Sequence, residues 1–362
     1  MTLLEQEIIE TRKNVYQLLK KRAFERNSLF QVQIDVTHAC DAHCNFCFQG
    51  DTHCTRETEL TLSEYDNIFI QLKEMGVLYI GISGGEPFWR SDTVEIIKLA
   101  KRYGFLVTIV TNLHIPDTTV LDELIASGIS RVTVSFHSID PHNYSKIFGV
   151  PETMYYAVLE KIDYLKSRGC SVGIAVTVTK DNFSELRSIK EFFIAKGIEP
   201  QGIGFNMLLK GENSVDLRPD LDDIENMLHQ NDNLEHNILE RLEGSYVCTA
   251  GHIFCVIDPY GDVKVCPFMY SSCGNIRHTK IRDIWENSAL LKILRDINCS
   301  ENFEKCFSCE NNKTCHICMA TNLNETGHYN IPSEDYCSFR KKLSTVLGVI
   351  EHDEDSGMRF LG

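Results

Sequence analysis

The sequence predicts an α/β fold in which a partial (β/α)6 TIM-like barrel is followed by a smaller, cysteine-rich domain. From about residue 29, apolar strand-like runs alternate with helix-like runs, an order typical of a parallel sheet covered by helices. Six such units are too few to close an eight-unit barrel. After Leu242 the composition changes and cysteines become frequent. The 362 residues, 43% of them hydrophobic, are enough for one large and one smaller domain.

Each element follows from its pattern of apolar residues. The predicted strands are residues 29–36, 78–83, 105–111, 131–135, 171–177 and 202–207. The predicted helices are residues 62–75, 93–103, 120–127, 153–168, 183–196 and 220–242, after an amphipathic helix over residues 2–26 that packs against the barrel. We therefore expect an N-terminal helix within 1–28, the barrel at 29–243, the cysteine-rich domain at 244–340 and a tail at 341–362.

The composition excludes several kinds of partner. The net charge of −15 argues against nucleic acid and against an anionic membrane, because both need a basic protein surface. No apolar run reaches membrane-spanning length, and residues 1–21 lack the apolar core of a signal peptide, so we expect a cytoplasmic protein. Disulfides are disfavoured in that compartment, so the fifteen cysteines indicate metal or iron–sulfur ligation.

Three cysteines stand close together directly after the first predicted strand. Cys40 and Cys44 are separated by three residues, Cys44 and Cys47 by two, and Phe46 immediately precedes the last. A [4Fe–4S] cluster usually takes four thiolates, so three without a fourth nearby suggest an iron that is open to a small chelating ligand. The alternatives are a structural zinc site and a group of buried thiols.

The second predicted strand ends in a glycine pair followed by a carboxylate: Ser83, Gly84, Gly85, Glu86. Two glycines allow a ligand to approach the backbone closely, although a glycine pair is also common in ordinary turns. In a barrel of parallel strands the site lies at the C-terminal strand ends. The glycine pair and the cysteine triad are therefore predicted to lie at the same mouth.

Together these residues resemble the radical S-adenosylmethionine (radical SAM) enzymes. In that family the open iron binds SAM, and the cluster cleaves it to a 5′-deoxyadenosyl radical. The family often has Thr-Asn-Gly after its third strand, where this chain has Thr111, Asn112 and Leu113. The resemblance implies that the [4Fe–4S] ligands are Cys40, Cys44 and Cys47, and that SAM contacts Phe46, Gly84, Gly85, Glu86, Asn112, Ser135 and Lys146.

Ten of the fifteen cysteines lie between Cys248 and Cys337, in a pattern that resembles the SPASM domain. The two residues between Cys315 and Cys318 depart from the usual three. The resemblance implies two auxiliary clusters, and so three [4Fe–4S] clusters in all. It assigns Cys248, Cys255, Cys266 and Cys318 to auxiliary cluster I and Cys306, Cys309, Cys315 and Cys337 to auxiliary cluster II. Zinc is the alternative, but five residues between two CxxC pairs is short for a zinc ribbon.

The layout implies a maturase of ribosomally made peptides that installs an oxidative crosslink, either a thioether or a carbon–carbon bond. Its partners would be a precursor peptide and an electron donor such as flavodoxin or ferredoxin. One alternative is oxidation of the kind performed by anaerobic sulfatase-maturing enzymes, which have an Asp after the third auxiliary cysteine, where this chain has Pro267. The others are peptide epimerisation and a non-catalytic iron–sulfur or zinc protein.

Overall fold

Six parallel strands form the framework of the protein. The structure is a computed structural model and describes residues 15–47, 49, 59–207, 217–219, 247–310, 315, 317–338 and 341. The strands are β1 (Gln31–Asp35), β2 (Tyr79–Ser83), β3 (Leu106–Thr111), β4 (Arg131–Ser135), β5 (Val172–Val178) and β6 (Ile203–Met207). Each pairs in parallel with the next in sequence. The predicted six-strand arrangement is confirmed, with strand ends that differ by at most two residues.

Helices cover the outer face of this sheet. They are α1 (15–25), α2 (Leu62–Glu74), α3 (Thr93–Arg102), α4 (Thr118–Ala126), α5 (Pro141–Phe148), α6 (Thr153–Ser167) and α7 (Leu186–Ala195). The predicted helix at 220–242 and residues 2–14 of the N-terminal helix lie outside the described residues. Among those that are described, no helix is long and apolar enough to cross a membrane.

Helix α5 was not predicted from the sequence. Asp140 caps its N-terminus by accepting a hydrogen bond from the Asn143 amide, and Pro141 occupies its first turn. Gly149 ends the helix in the left-handed conformation, with φ of 66°. With eight residues the helix makes only two turns, which is too short for its apolar periodicity to stand out.

The two faces of the sheet have different roles. On β1, Val32 and Ile34 are fully buried in the core between sheet and helices, whereas Gln33 and Asp35 alternate with them on the inner face.

At the N-terminal ends of the barrel strands, the Arg131 guanidinium donates a hydrogen bond to the Gly202 carbonyl (3.1 Å). This side chain fills the N-terminal end of the barrel interior, so the C-terminal end remains for a site.

The cysteine-rich region continues the barrel sheet instead of forming a separate layer. Strand β7 (Phe254–Ile257) pairs in parallel with β1, and β8 (Asp262–Lys264) and β9 (Ser272–Asn275) follow as antiparallel strands. The sheet order is β6-β5-β4-β3-β2-β1-β7-β8-β9. The helices of this region are α8 (Ile281–Asn287), α9 (Ala289–Ile297), α10 (Glu304–Phe307) and α11 (Met319–Thr326), and residues 334–338 are also helical.

Polar contacts attach this C-terminal region to the barrel helices. The Trp285 indole donates a hydrogen bond to the Asn27 carbonyl (2.6 Å), and Arg277 pairs with Glu64 on α2 (2.6 Å). With β7 paired to β1, these contacts fix the region against the first β/α unit. The predicted boundary at residues 243 and 244 falls outside the described residues and stays a prediction.

Candidate functional site

The cysteine loop, residues 36–47, leaves the C-terminal end of β1 and carries three half-buried thiols. Burial raises the pKa of Cys40 to about 12, and the nearby charge of Cys47 raises the pKa of both Cys40 and Cys44 further. The Ala42 amide donates a hydrogen bond to the Cys40 sulfur (3.4 Å), a contact that is common around cluster-bound thiolates. The loop therefore brings Cys40, Cys44 and Cys47 together, as the sequence predicts, and suits a shared cluster.

The glycine pair after β2 holds this loop in place. The Gly85 amide donates to the Thr37 carbonyl (2.8 Å) and the Glu86 amide donates to the Ala39 carbonyl (2.9 Å). A Cβ atom on Gly84 would lie 2.1 Å from the Thr37 oxygen, and one on Gly85 would lie 2.4 Å from the His38 and Ala39 oxygens. The two glycines therefore leave room for the cysteine loop, in addition to the close approach of a ligand that the sequence suggested.

The Glu86 carboxylate is fully buried and occupied by protein donors. It accepts hydrogen bonds from the Thr111 hydroxyl (2.7 Å), the Asn112 amide (2.7 Å) and the Phe88 amide (3.1 Å). These contacts join the glycine loop to the end of β3. The structure therefore makes Glu86 a support of the site.

The pKa of Glu86 leads to a prediction about pH. Burial raises it from 4.5 to about 7 in the folded protein, so the folded state binds a proton more tightly than the unfolded state. This contribution to the free energy of unfolding is present below about pH 4.5 and is lost as the pH rises through about 7, by about 3 kcal/mol. Glu86→Gln should flatten this dependence. Thermal unfolding at pH 5 and pH 8 checks it, and parallel curves for both proteins would contradict it.

A buried polar chain fixes the start of the cysteine loop to the end of β3. Asn112 Nδ2 donates to Asp41 Oδ1 (2.9 Å), and His114 Nδ1 contacts Asp41 Oδ2 (2.9 Å). The other ring nitrogen of His114 contacts the Tyr144 hydroxyl on α5 (2.9 Å). Burial raises the pKa of Asp41, but the hydrogen bonds from His114 and Asn112 outweigh this and hold it below its usual value. Since Asp41 directly follows Cys40, these hydrogen-bonded side chains position Cys40, a predicted cluster ligand.

Sequence reasoning assigned Asn112 to SAM and missed the other members of this chain. The contacts between Asp41 and its partners span 71 and 73 residues, and no local pattern announces them. The side-chain nitrogen of Asn112, Nδ2, also lies 3.9 Å from the Cys40 sulfur, so this side chain is beside the candidate cluster.

Leu113 stands where the family often has glycine, and it takes a backbone conformation that glycine adopts most readily. Its φ is 63°, in the left-handed region, and its side chain is fully buried. Lys161 donates from Nζ to the carbonyls of Leu113 (3.0 Å) and His114 (2.6 Å), which stabilises this turn. Leucine at this position therefore leaves local backbone strain in the turn.

We expect Leu113→Ala to destabilise the protein more than Leu113→Gly does. Both variants lose the buried side chain, which costs about 2–4 kcal/mol. Glycine alone also relieves the left-handed strain, worth about 1–2 kcal/mol, and part of that gain is offset by its greater entropy in the unfolded chain. Thermal unfolding of the two variants measures the order, and an alanine variant at least as stable as the glycine variant would show that the turn is unstrained.

The remaining predicted SAM contacts divide into two groups. Ser135 is half-buried at the C-terminal end of β4. Phe46 belongs to the cysteine loop, and its ring lies edge-on to His137, two residues after Ser135, with centroids 5.0 Å apart. His137 itself is buried and receives a hydrogen bond from the Thr177 amide (3.0 Å), and burial lowers its pKa to about 3. Lys146 is different, because its side chain is 58% exposed and pairs with Asp181 (2.7 Å). Its ammonium is therefore engaged by a carboxylate, although its helix ends against the loop, where the His43 amide donates to the Phe148 carbonyl (2.8 Å).

In the C-terminal region, three of the four cysteines predicted for auxiliary cluster I lie together. Cys248, Cys266 and Cys318 all pack against the core, and the charge of Cys318 raises the pKa of the other two thiols. The Ala250 amide donates to the Cys248 sulfur (3.4 Å), and the Met269 amide donates to the Cys266 carbonyl (3.2 Å). Cys255 is not with them: it lies on β7, fully buried, near Cys273.

The ligands predicted for auxiliary cluster II are partly brought together. The charges of Cys315 and Cys309 raise the pKa of Cys337, and Cys306 lies on α10, one turn before Cys309. Over the described ranges, no three His, Cys, Asp or Glu side chains surround the position of a single metal ion. Cys54 lies outside those ranges.

Comparison with known proteins matches two families. Residues 34–193 match the Radical SAM superfamily, and residues 248–319 match SPASM, an iron–sulfur cluster-binding domain. The AdoMet-dependent heme synthase of Methanosarcina barkeri is 26% identical over 84% of this chain and 95% of its own. The PqqA peptide cyclase of Bradyrhizobium diazoefficiens is 25% identical over 77% of this chain and 78% of its own. Streptococcus suis SuiB bound to precursor peptide SuiA shares the fold, with a TM-score of 0.68 and 19% identity over 93% and 82% of the two chains.

Proposed function

The chain is a radical SAM protein with a C-terminal SPASM domain, and from this premise we propose that it is a peptide maturase. It abstracts hydrogen from a residue of a ribosomally made precursor peptide and forms an oxidative crosslink, either a thioether or a carbon–carbon bond. One observation carries the proposal: the cysteine loop and the SPASM region extend from one continuous sheet, in which β1 pairs with β7. The likeness to PqqA peptide cyclase supports a peptide substrate.

The residues around the cysteine loop fit SAM, with two changes to the predicted set. Cys40, Cys44 and Cys47 would hold a [4Fe–4S] cluster, at which reduction of SAM would supply a 5′-deoxyadenosyl radical. We assign SAM contacts to Phe46, the backbone of Gly84 and Gly85, Asn112 and Ser135. Glu86 is removed because its carboxylate is occupied by Thr111 and two backbone amides, and Lys146 because its ammonium pairs with Asp181 at the surface.

The SPASM region would hold two further clusters, which gives three [4Fe–4S] clusters per chain. Clusters held by thiolates carry single electrons, and this supports an oxidised product over a redox-neutral rearrangement. The reduction step needs an external electron donor, for which a flavodoxin or ferredoxin is suitable. The many free thiols fit a reducing compartment, so we assign the protein to the cytoplasm.

A second candidate is tetrapyrrole chemistry. It is favoured by the AdoMet-dependent heme synthase of M. barkeri, which aligns with this chain over 95% of its length. In that case a tetrapyrrole, and not a peptide, would occupy the mouth beside the cysteine loop.

Co-expression of the chain with a short peptide encoded beside its gene tests the proposal. We expect the peptide to lose the mass of two hydrogen atoms per crosslink, and the Cys44→Ser variant to leave the peptide unmodified. Purified protein incubated with a porphyrin provides the other arm. A mass change in the porphyrin with none in the peptide would support the second candidate and contradict the first.

A further inference from the structure

Cys255 occupies a position unlike that of the other SPASM cysteines. It is a central residue of β7, in register with Val32 of β1, and both side chains are fully buried in the core between sheet and helices. Registered residues of parallel strands point to the same face of the sheet. Cys255 therefore points into an apolar layer that is already packed.

The place of Cys255 in the fold also separates it from the other thiols. Cys248 lies on the loop before the bridge of Ala250 with Phe254, and Cys318 lies at the N-terminal end of α11. Cys248 accepts a backbone N–H hydrogen bond from Ala250 (3.4 Å). Within the described part of the chain no amide donates to the Cys255 sulfur. Hydrogen bonds of this kind accompany cluster ligation, so Cys255 has the surroundings of a core thiol.

We propose that auxiliary cluster I is held by three thiolates, those of Cys248, Cys266 and Cys318, and that one of its irons takes a ligand other than Cys255. This revises the four-cysteine assignment that the sequence suggested. A [4Fe–4S] cluster with three protein thiolates has one iron at which ligands can exchange. Soft or anionic donors, such as a thiolate, an imidazole nitrogen or cyanide, are the class suited to it.

The inference rests on the SPASM region holding a cluster and is independent of the substrate. Its test therefore reads iron content and spectra, and a failure to modify any peptide leaves it unaffected. The parent protein is the full chain with Cys40, Cys44 and Cys47 replaced by Ala, which removes the N-terminal cluster and leaves only the auxiliary signals. It should contain about eight irons per chain.

Cys255→Val, Cys255→Ser and Cys266→Ser are compared in this parent, with Cys170→Val as a control for thiol removal elsewhere. Val and Ser are both used because one keeps the apolar character of the site and the other its size. We expect both Cys255 variants and the control to keep the parent's iron content and electron paramagnetic resonance spectrum. Cys266→Ser should lose about four irons. Loss of about four irons from folded Cys255 variants would overturn the proposal.

Cyanide added to the reduced parent and to Cys255→Val tests the exchangeable iron directly. We expect it to change the auxiliary resonance in both proteins to the same extent. Auxiliary resonances that cyanide leaves unchanged in both proteins would show that all irons are held by the chain, and would overturn the proposal. A change seen only in Cys255→Val would overturn it too, because the variant would then have created the open iron.

Discussion

Gly85→Ala is expected to prevent cluster binding at the cysteine loop and to lower 5′-deoxyadenosine formation by about 100-fold. The new Cβ would lie 2.4 Å from two backbone oxygens, those of His38 and Ala39. Both belong to the segment that leads into Cys40, and backbone cannot rotate away as a side chain can. The loop must move, and even a displacement of about 1 Å at a reacting group can cost this much in rate.

Gly81→Ala is the matched control for this prediction. Gly81 lies on β2, four residues before Gly85, and the nearest contact of its added Cβ would be the Thr108 hydroxyl at an ordinary 3.8 Å. We expect this variant to keep wild-type iron content. Iron content and 5′-deoxyadenosine are measured after anaerobic reconstitution. If Gly85→Ala binds its N-terminal cluster as well as Gly81→Ala does, the glycine pair does not serve to admit the cysteine loop.

His114→Ala should be the most destabilising histidine substitution at the site. The side chain is 1% exposed, and both ring nitrogens are bonded, one to Asp41 and one to Tyr144. Truncation leaves a half-buried carboxylate and a buried hydroxyl without this partner, at a cost of about 3–5 kcal/mol. The cysteine loop then loses an anchor next to Cys40, so N-terminal cluster occupancy should fall as well.

His142→Ala provides the comparison, because His142 also pairs with a carboxylate but is 85% exposed. A pair of that kind contributes at most about 1 kcal/mol, and its loss should barely change the unfolding temperature. The unfolding temperature and iron content of both variants are measured in parallel. Equal effects of the two substitutions would contradict the role given to the buried chain of Asp41, His114 and Tyr144.

The sequence revealed much of the fold because the barrel strands carry strong local signals. Runs such as 78–83 and 105–111 are apolar and bounded by turn residues, and the structure places strands there. The cysteine triad and the glycine pair were also visible, because each is compact in sequence. Helix α5 and the short strands β8 and β9 have too few residues for a period to appear.

The features that sequence reasoning missed depend on contacts between distant residues. Nothing local distinguishes Cys255 from Cys248, yet pairing of β7 with β1 turns one into the core and leaves the other on a loop. Lys146 matched the family's spacing, but α5 directs it to Asp181 at the surface. Gly84 and Gly85 also leave room for the cysteine loop, and this role depends on contacts with residues 37–39, which are distant in sequence.

Transfer of hydrogen from the peptide to 5′-deoxyadenosine is the most direct test of the proposed function. Reconstituted protein is reduced under anaerobic conditions with SAM and a precursor peptide that carries deuterium at its carbon positions. The account predicts 5′-deoxyadenosine that contains one deuterium atom, together with a peptide that has lost this deuterium and one further hydrogen, which leaves as a proton and an electron. Unlabelled 5′-deoxyadenosine beside an unchanged peptide, or no 5′-deoxyadenosine at all, would contradict it.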